Sequence, residues 1–188
     1  SMKAGCWRAT IYNRVYHPRG YVKPENGGAM VEYEAIKKHV TMWNVAVERQ
    51  IRVKGTDAEK FTDYVITRDA KKISTMRGRY VVLCNYKGGV LNDPVLMRVA
   101  DDEFWFSLSD SDIGVYLQGV NADKRFNVEI DEIDACPVQI QGPKAKALMK
   151  DLIGDQVDMD NMPFYGLAEA KVGGRSCVIS QSGFSGEA

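Results

Sequence analysis

Residues 85–94, N-Y-K-G-G-V-L-N-D-P, lie between the apolar runs 80–84 and 95–99, and they limit the architecture more than any other stretch. Two adjacent glycines flanked by strand-like runs predict a hairpin, because glycine takes positive φ without a Cβ clash. Asp93 then falls four residues past the bend, early on the returning strand, where sheet hydrogen bonds would fix it. A carboxylate held in that way suits proton handling or amine binding. It is equally what an ordinary strand start contains, since Asp beside Pro often marks turns. On local sequence both readings stand open.

Other segments fit the same plan. Residues 50–53 alternate as a strand and stop at Gly55, and 104–108, 127–130, 138–141 and 175–180 are strand-like. Residues 56–66 predict a helix capped by Thr56, with Glu59 closing a capping box and Ala58, Phe61 and Val65 on one face. Shorter helices are predicted at 33–39 and 112–119, with M-W-N-V-A-V following the first. A further helix starts near Pro143 and ends at Gly154, with Ala145, Leu148, Met149 and Leu152 as its buried stripe. Asp101-Asp102 is an acidic turn, and residues 7–31, aromatic and glycine-rich without periodicity, predict an extended arm or loops. Interleaved helices and strands joined by tight turns predict α+β with antiparallel sheets and packed helices, not a doubly wound parallel fold.

Composition narrows the function classes. The 188 residues suit one domain or two small ones, and 45% hydrophobic with 27% charged residues is a globular balance. Lys plus Arg equals Asp plus Glu at 25 each, so no bulk field recruits nucleic acid or an acidic membrane. No apolar run approaches the roughly 20 residues needed to span a bilayer, and S-M-K-A-G-C-W-R has no apolar signal core. Cys6, Cys84, Cys136 and Cys177 are far apart, and only His17 and His39 could join them, so no zinc site is expected. The cysteines are predicted to be buried free thiols in a reducing, cytoplasmic setting. G-x-G-x-x-G and the P-loop pattern are absent, and no serine sits in a nucleophile elbow.

Several separated segments together carry a resemblance: M-W-N-V-A-V-E-R-Q-I-R-V-K-G, G-R-Y-V-V-L-C-N-Y-K-G-G-V-L-N-D-P, F-W-F-S-L-S-D-S-D, Q-I-Q-G-P-K-A, F-Y-G and S-G-F-S-G-E. In this order and spacing they resemble the folate-dependent family of the glycine-cleavage T-protein (aminomethyltransferase). W-N-V-A-V-E-R-Q and N-D-P look nearest to its dimethylsulfoniopropionate demethylase branch. The resemblance runs from about Trp7 to the last residue and covers the first half of such a protein, leaving the C-terminal barrel domain outside. It implies a first, incomplete folate-binding subdomain from 1–49 with 136–188, and an inserted α+β subdomain from 50–135.

The resemblance also implies tetrahydrofolate as cofactor and a set of site residues. Glu187 matches the glutamate that holds the pterin, whose neighbouring N–H groups a carboxylate accepts in a fork. Asp93 matches the aspartate beside the reacting folate nitrogens, credited with orienting the cofactor and handling charge. Its neighbour is Asn92, which removes the like-charge repulsion of a carboxylate pair. Tyr80 and Tyr165 match cavity aromatics, and Ser109 stands where T-proteins usually have Asn. The implied partners are a small-molecule donor, carrying methyl on a sulfonium or amine, or an aminomethyl group on a lipoyl carrier protein. No nucleic acid and no membrane are implied. A cationic donor would suit aromatic faces such as Trp7, Tyr12, Trp43 and Trp105. A folate-binding fragment without turnover, or a purely structural domain, remain the alternatives at this point.

Overall fold

The computed structural model describes residues 2–183 and 185–186. The chain divides into two compact units. The first takes the residues up to Val47, Cys136–Phe164 and those from Ala168 on; the second takes Glu48–Ala135 and Tyr165–Leu167.

The first unit opens with a hairpin of β1 (Arg8–Tyr12) and β2 (Val15–Gly20), where an arm or loops were predicted. Its bend is Asn13-Arg14, at φ 47° and 63°. Two left-handed residues match the strand twist. Without glycine at the bend, the hairpin left no local signal. The Asn13 amide donates to the Val47 carbonyl at 2.9 Å, which anchors the turn. Helix α1 (Gly28–Lys38) begins five residues earlier than the predicted start at 33, and β3 (Thr41–Asn44) follows.

The second unit holds β4 (Gln50–Lys54), α2 (Ala58–Val65), β5 (Arg77–Tyr80), β6 (Leu83–Cys84), β7 (Val90–Asn92), β8 (Val95–Ala100), β9 (Glu103–Ser107), α3 (Ile113–Val120) and β10 (Glu129–Glu132). Five strands form an antiparallel sheet in the order β10-β4-β9-β8-β5. Period-two alternation sends Ile51, Val53, Leu96, Phe104 and Phe106 to one face, where Ala58, Phe61 and Val65 of α2 and Ile113 and Leu117 of α3 cover them. Each large side chain removed from water there contributes roughly 1.5–3 kcal/mol. The Asp101-Asp102 turn joins β8 to β9 as expected.

Three local expectations change. The capping box is absent: α2 starts after Asp57 with no side-chain cap, and the Thr56 hydroxyl accepts from the Asn127 amide at 2.8 Å. Glu59 is drawn instead to Arg98 at 2.7 Å, whose guanidinium also donates to the Ile73 and Asp101 carbonyls and lies over the Phe104 ring. That pair is part-buried and therefore outcompetes a solvent-side box. The predicted strand 80–84 is two short strands, because Pro94 has no N–H to continue the ladder; Val81 N–H donates to the Pro94 carbonyl instead. The strand predicted at 127–130 starts at Glu129, since the Asn127 N–H donates to Asp57 rather than to a neighbouring strand.

The chain then returns to the first unit. There β11 (Val138–Gln141) pairs with β3, and α4 (Ala145–Ile153) follows. Strands β12 (Leu167–Val172) and β13 (Arg175–Ser180) make a second hairpin across Gly173-Gly174, both at positive φ. Gly154 ends α4 at φ 56°. The predicted α4 stripe changes only at its end: Met149 packs against the core as expected, but Leu152 is 46% exposed and Ile153 is buried in its place. Ile153 packs with Met159, Met162 and Ala170, contacts that helix periodicity alone could not register.

All four cysteines are free thiols, but only Cys6 is buried. Cys136 is exposed because it lies in the strand-free connection between β10 and β11. Among the described residues no helix is long and apolar enough to cross a membrane.

Candidate functional site

The Gly-Gly bend is built around Asn85. Its side-chain oxygen accepts from the Lys87 and Gly89 N–H groups, and its backbone pairs with Gly88 and Gly89. Gly88 needs its φ of 80°, and a Cβ on Gly89 would come within 3.0 Å of the Asn85 amide. The bend closes the β6–β7 hairpin, which sits as a tip on the longer β5–β8 pair. Asp93 therefore lies at the joint between two ladders, after Leu83↔Asn92 and before Tyr80↔Val95, rather than inside the returning strand.

At that joint the Asp93 side chain is held at both oxygens. Oδ1 accepts from the Ser109 hydroxyl at 2.6 Å, and Oδ2 accepts from the Tyr80 hydroxyl at 2.9 Å. Asp93 is exposed and Tyr80 is 44% exposed. The hydrogen bond to Asp93 pushes the Tyr80 phenol above its usual value, helped by burial, by the Asp93 charge and by Tyr165. Tyr80 is thus a donor throughout the neutral range.

Tyr165 comes to the same place by backbone geometry. It sits at φ 59°, and its carbonyl accepts from the Gly78 N–H at 2.7 Å while Gly166 bridges Arg77. A Cβ on Gly78 would lie 3.5 Å from the Tyr165 ring, an ordinary van der Waals contact, so the ring packs over this stretch of β5. Gly78 and Tyr80 are two apart on β5 and share a face, which sets the two tyrosines side by side.

Behind Asp93, buried Asn92 clamps the segment that carries Ser109. Its amide donates to the Ser109 carbonyl at 3.0 Å and to the Ser111 hydroxyl at 2.6 Å, and its oxygen accepts from the Ser109 N–H. A carboxylate at 92 could not donate to that carbonyl. Sequence reasoning treated Asn92 as a missing charge and passed over its structural part; an amide beside an aspartate at a strand end was the only signal available.

Asp93, Tyr80, Ser109 and Tyr165 therefore converge, whereas Glu187 lies outside the described residues. Of the aromatics considered for a cation, Trp105 sits on the same face of β9 as Ser107 and donates to Glu103. The Trp43 and Trp7 indoles donate to Thr41 and to the Val22 carbonyl, and the Tyr12 ring lies 6.0 Å from His17. No group of three His, Cys, Asp or Glu side chains suited to a metal occurs among the described residues. Each Asp93 oxygen has accepted one hydroxyl and keeps lone-pair capacity for an N–H donor, with two aromatic faces beside it. Those residues fit a flat heterocycle bearing N–H groups.

A family model described as the GCVT N-terminal domain matches residues 2–188. The chain is 32% identical over 182 residues to dimethylsulfoniopropionate demethylase DmdA of Ruegeria pomeroyi, covering 97% of this chain and 48% of that protein. It is 28% identical over 160 residues to an aminomethyltransferase of Staphylococcus haemolyticus, covering 83% of this chain and 44% of the relative. The fold matches the glycine cleavage system aminomethyltransferase T from Bartonella henselae with a TM-score of 0.83 at 22% identity, over 99% of this chain and 49% of that one. The chain spans about half the length of the curated relatives it matches.

Proposed function

The chain belongs to the GCVT N-terminal domain family, and from that premise we propose that it is the N-terminal portion of a tetrahydrofolate-dependent one-carbon transferase. The observation that carries this reading is the Asp93 carboxylate gripped by Tyr80 and Ser109 beside Tyr165. When bound, tetrahydrofolate supplies the nitrogen that takes up the one-carbon unit. Asp93 would orient the coenzyme by accepting its N–H and would balance positive charge that develops on the receiving nitrogen. Tyr80 and Ser109 keep that carboxylate from rotating, and the tyrosine faces exclude water from one side of the ring.

Greater identity to a demethylase than to an aminomethyltransferase supports a methyl donor on sulfur or nitrogen over an aminomethyl group on a lipoyl carrier protein.

The test is titration of the purified chain with tetrahydrofolate, followed by protein fluorescence. Saturable binding is expected, with Tyr80→Ala weakening it about tenfold through lost stacking. Asp93→Asn is expected to bind more weakly, since it loses a charged acceptor for the coenzyme N–H, and to move no one-carbon unit. Absence of binding by the wild type overturns the reading. Because the chain spans only half of its relatives, a second reading is a folate-binding portion without turnover. It prevails if the wild type binds yet transfers nothing from sulfonium, amine or lipoyl donors.

A further inference from the structure

Glu48 begins the second unit, two residues before β4. The Leu108 N–H donates to the Arg49 carbonyl at 3.0 Å, the bond that closes the last β4–β9 pair, Gln50↔Ser107. Glu48 follows at the bend just outside that ladder. The β8–β9 pairing Val95↔Ser107, continued by the same count, sets Asp93 opposite Ser109 from the other side. Ser107 and Ser109 share a face of the β9 strand end, and Asp93 and Glu48 flank that end from its two sides.

Side-chain contacts mark both flanks. Ser109 donates to Asp93, and Glu48 is hydrogen-bonded to Ser107, two residues before Ser109 on the same face. The Gln50 amide donates both to the Ser107 hydroxyl at 2.8 Å and to the Glu48 carbonyl at 2.6 Å. The strand end is thus already tied without the Glu48 carboxyl. The neighbouring cations are engaged elsewhere: Arg49 with Glu132 and Asp112, Arg52 with Asp131, and Lys54 with Glu103.

We propose that Glu48 is a second ligand-binding carboxyl of the Asp93 site, accepting an N–H from the same heterocycle. The inference rests on the folate reading above. Burial pushes Glu48 above the usual carboxylate range against the opposing Ser107 hydrogen bond. A ligand N–H would offset that desolvation by completing the carboxyl's hydrogen bonding.

The experiment is calorimetric titration of the 188-residue chain with 5-formyltetrahydrofolate, comparing wild type, Tyr80→Ala and Glu48→Gln. Glu48→Gln is expected to weaken binding about tenfold, because an amide NH2 opposes an N–H donor. Its melting temperature should stay within about 2 °C of wild type, and the 13C resonance of the Glu48 carboxyl should move on saturation. If Tyr80→Ala is weakened and Glu48→Gln binds like wild type, this inference falls and the folate reading survives. If Glu48→Gln melts early and the wild-type Glu48 resonance ignores the ligand, its role is structural and the inference again falls. A wild type that never binds removes both.

Discussion

The two units bury apolar residues to different depths. In the second, Phe61, Phe104, Phe106, Leu83, Leu96 and Leu117 are fully buried between a five-stranded sheet and two helices. Among the described residues of the first, every sheet has two strands, the buried cluster is Ile153, Met159, Met162 and Ala170, and Ile11, Tyr16, Met30 and Met42 are exposed. A wide sheet gives α2 and α3 a continuous surface to cover, whereas an isolated hairpin offers one narrow face. The candidate site stands on the well-buried unit. Holding Asp93 to within a hydrogen bond of two hydroxyls requires strands that do not slide.

That contrast can be broken most directly by cavities. Phe106→Ala should destabilise the second unit by about 3–5 kcal/mol in denaturant unfolding. Ile153→Ala in the first should cost no more than about 2 kcal/mol, since its surroundings are smaller and can collapse. Equal losses would sink the comparison. Asn92→Ala tests the polar clamp behind the site. It removes three hydrogen bonds around Ser109 and should cost about 2–3 kcal/mol by the same assay. It should also lower the affinity for tetrahydrofolate, because Ser109 then no longer restrains Asp93.

Acid should loosen the second unit's sheet in a predictable direction. The Arg49 hydrogen bond holds Glu132 below the usual carboxylate range. Burial pushes Glu103 up, but hydrogen bonds from Lys54 and Trp105 outweigh it and leave that carboxyl low as well. Groups depressed in the folded state add stability above their unfolded value of about 4.3, and that stability is lost as pH falls through the lower folded value. Melting temperature should therefore drop on acidification below about pH 5, and less steeply in Glu132→Gln. An unchanged slope in that variant would remove Glu132 from the account. The smallest effect is expected in the first unit. Lys150→Ala breaks an exposed pair with Asp160 and should change stability by no more than about 0.5 kcal/mol.

Legibility followed the range of the interactions involved. The hairpin at 85–94, the α2 face of Ala58, Phe61 and Val65, and strand β13 could be read because their causes lie within a few residues. The β1–β2 hairpin was missed because its bend uses Asn13-Arg14, whose left-handed φ is stabilised by a contact to Val47. Glu59 was misread because Arg98, thirty-nine positions away, competes for it. At the site, Tyr80, Asp93, Ser109 and Tyr165 were named from motif order. The Asn92 clamp and the position of Glu48 were not, since both depend on strand register.

By itself the sequence determined the α+β class, the antiparallel bend and the family, because alternation, glycine placement and motif order are properties of neighbouring residues. Only the tertiary structure decided which hydroxyls meet the Asp93 carboxylate and which face of the sheet it shares. Register is a property of pairs of strands, and a slip of one residue would turn each of those side chains to the other face.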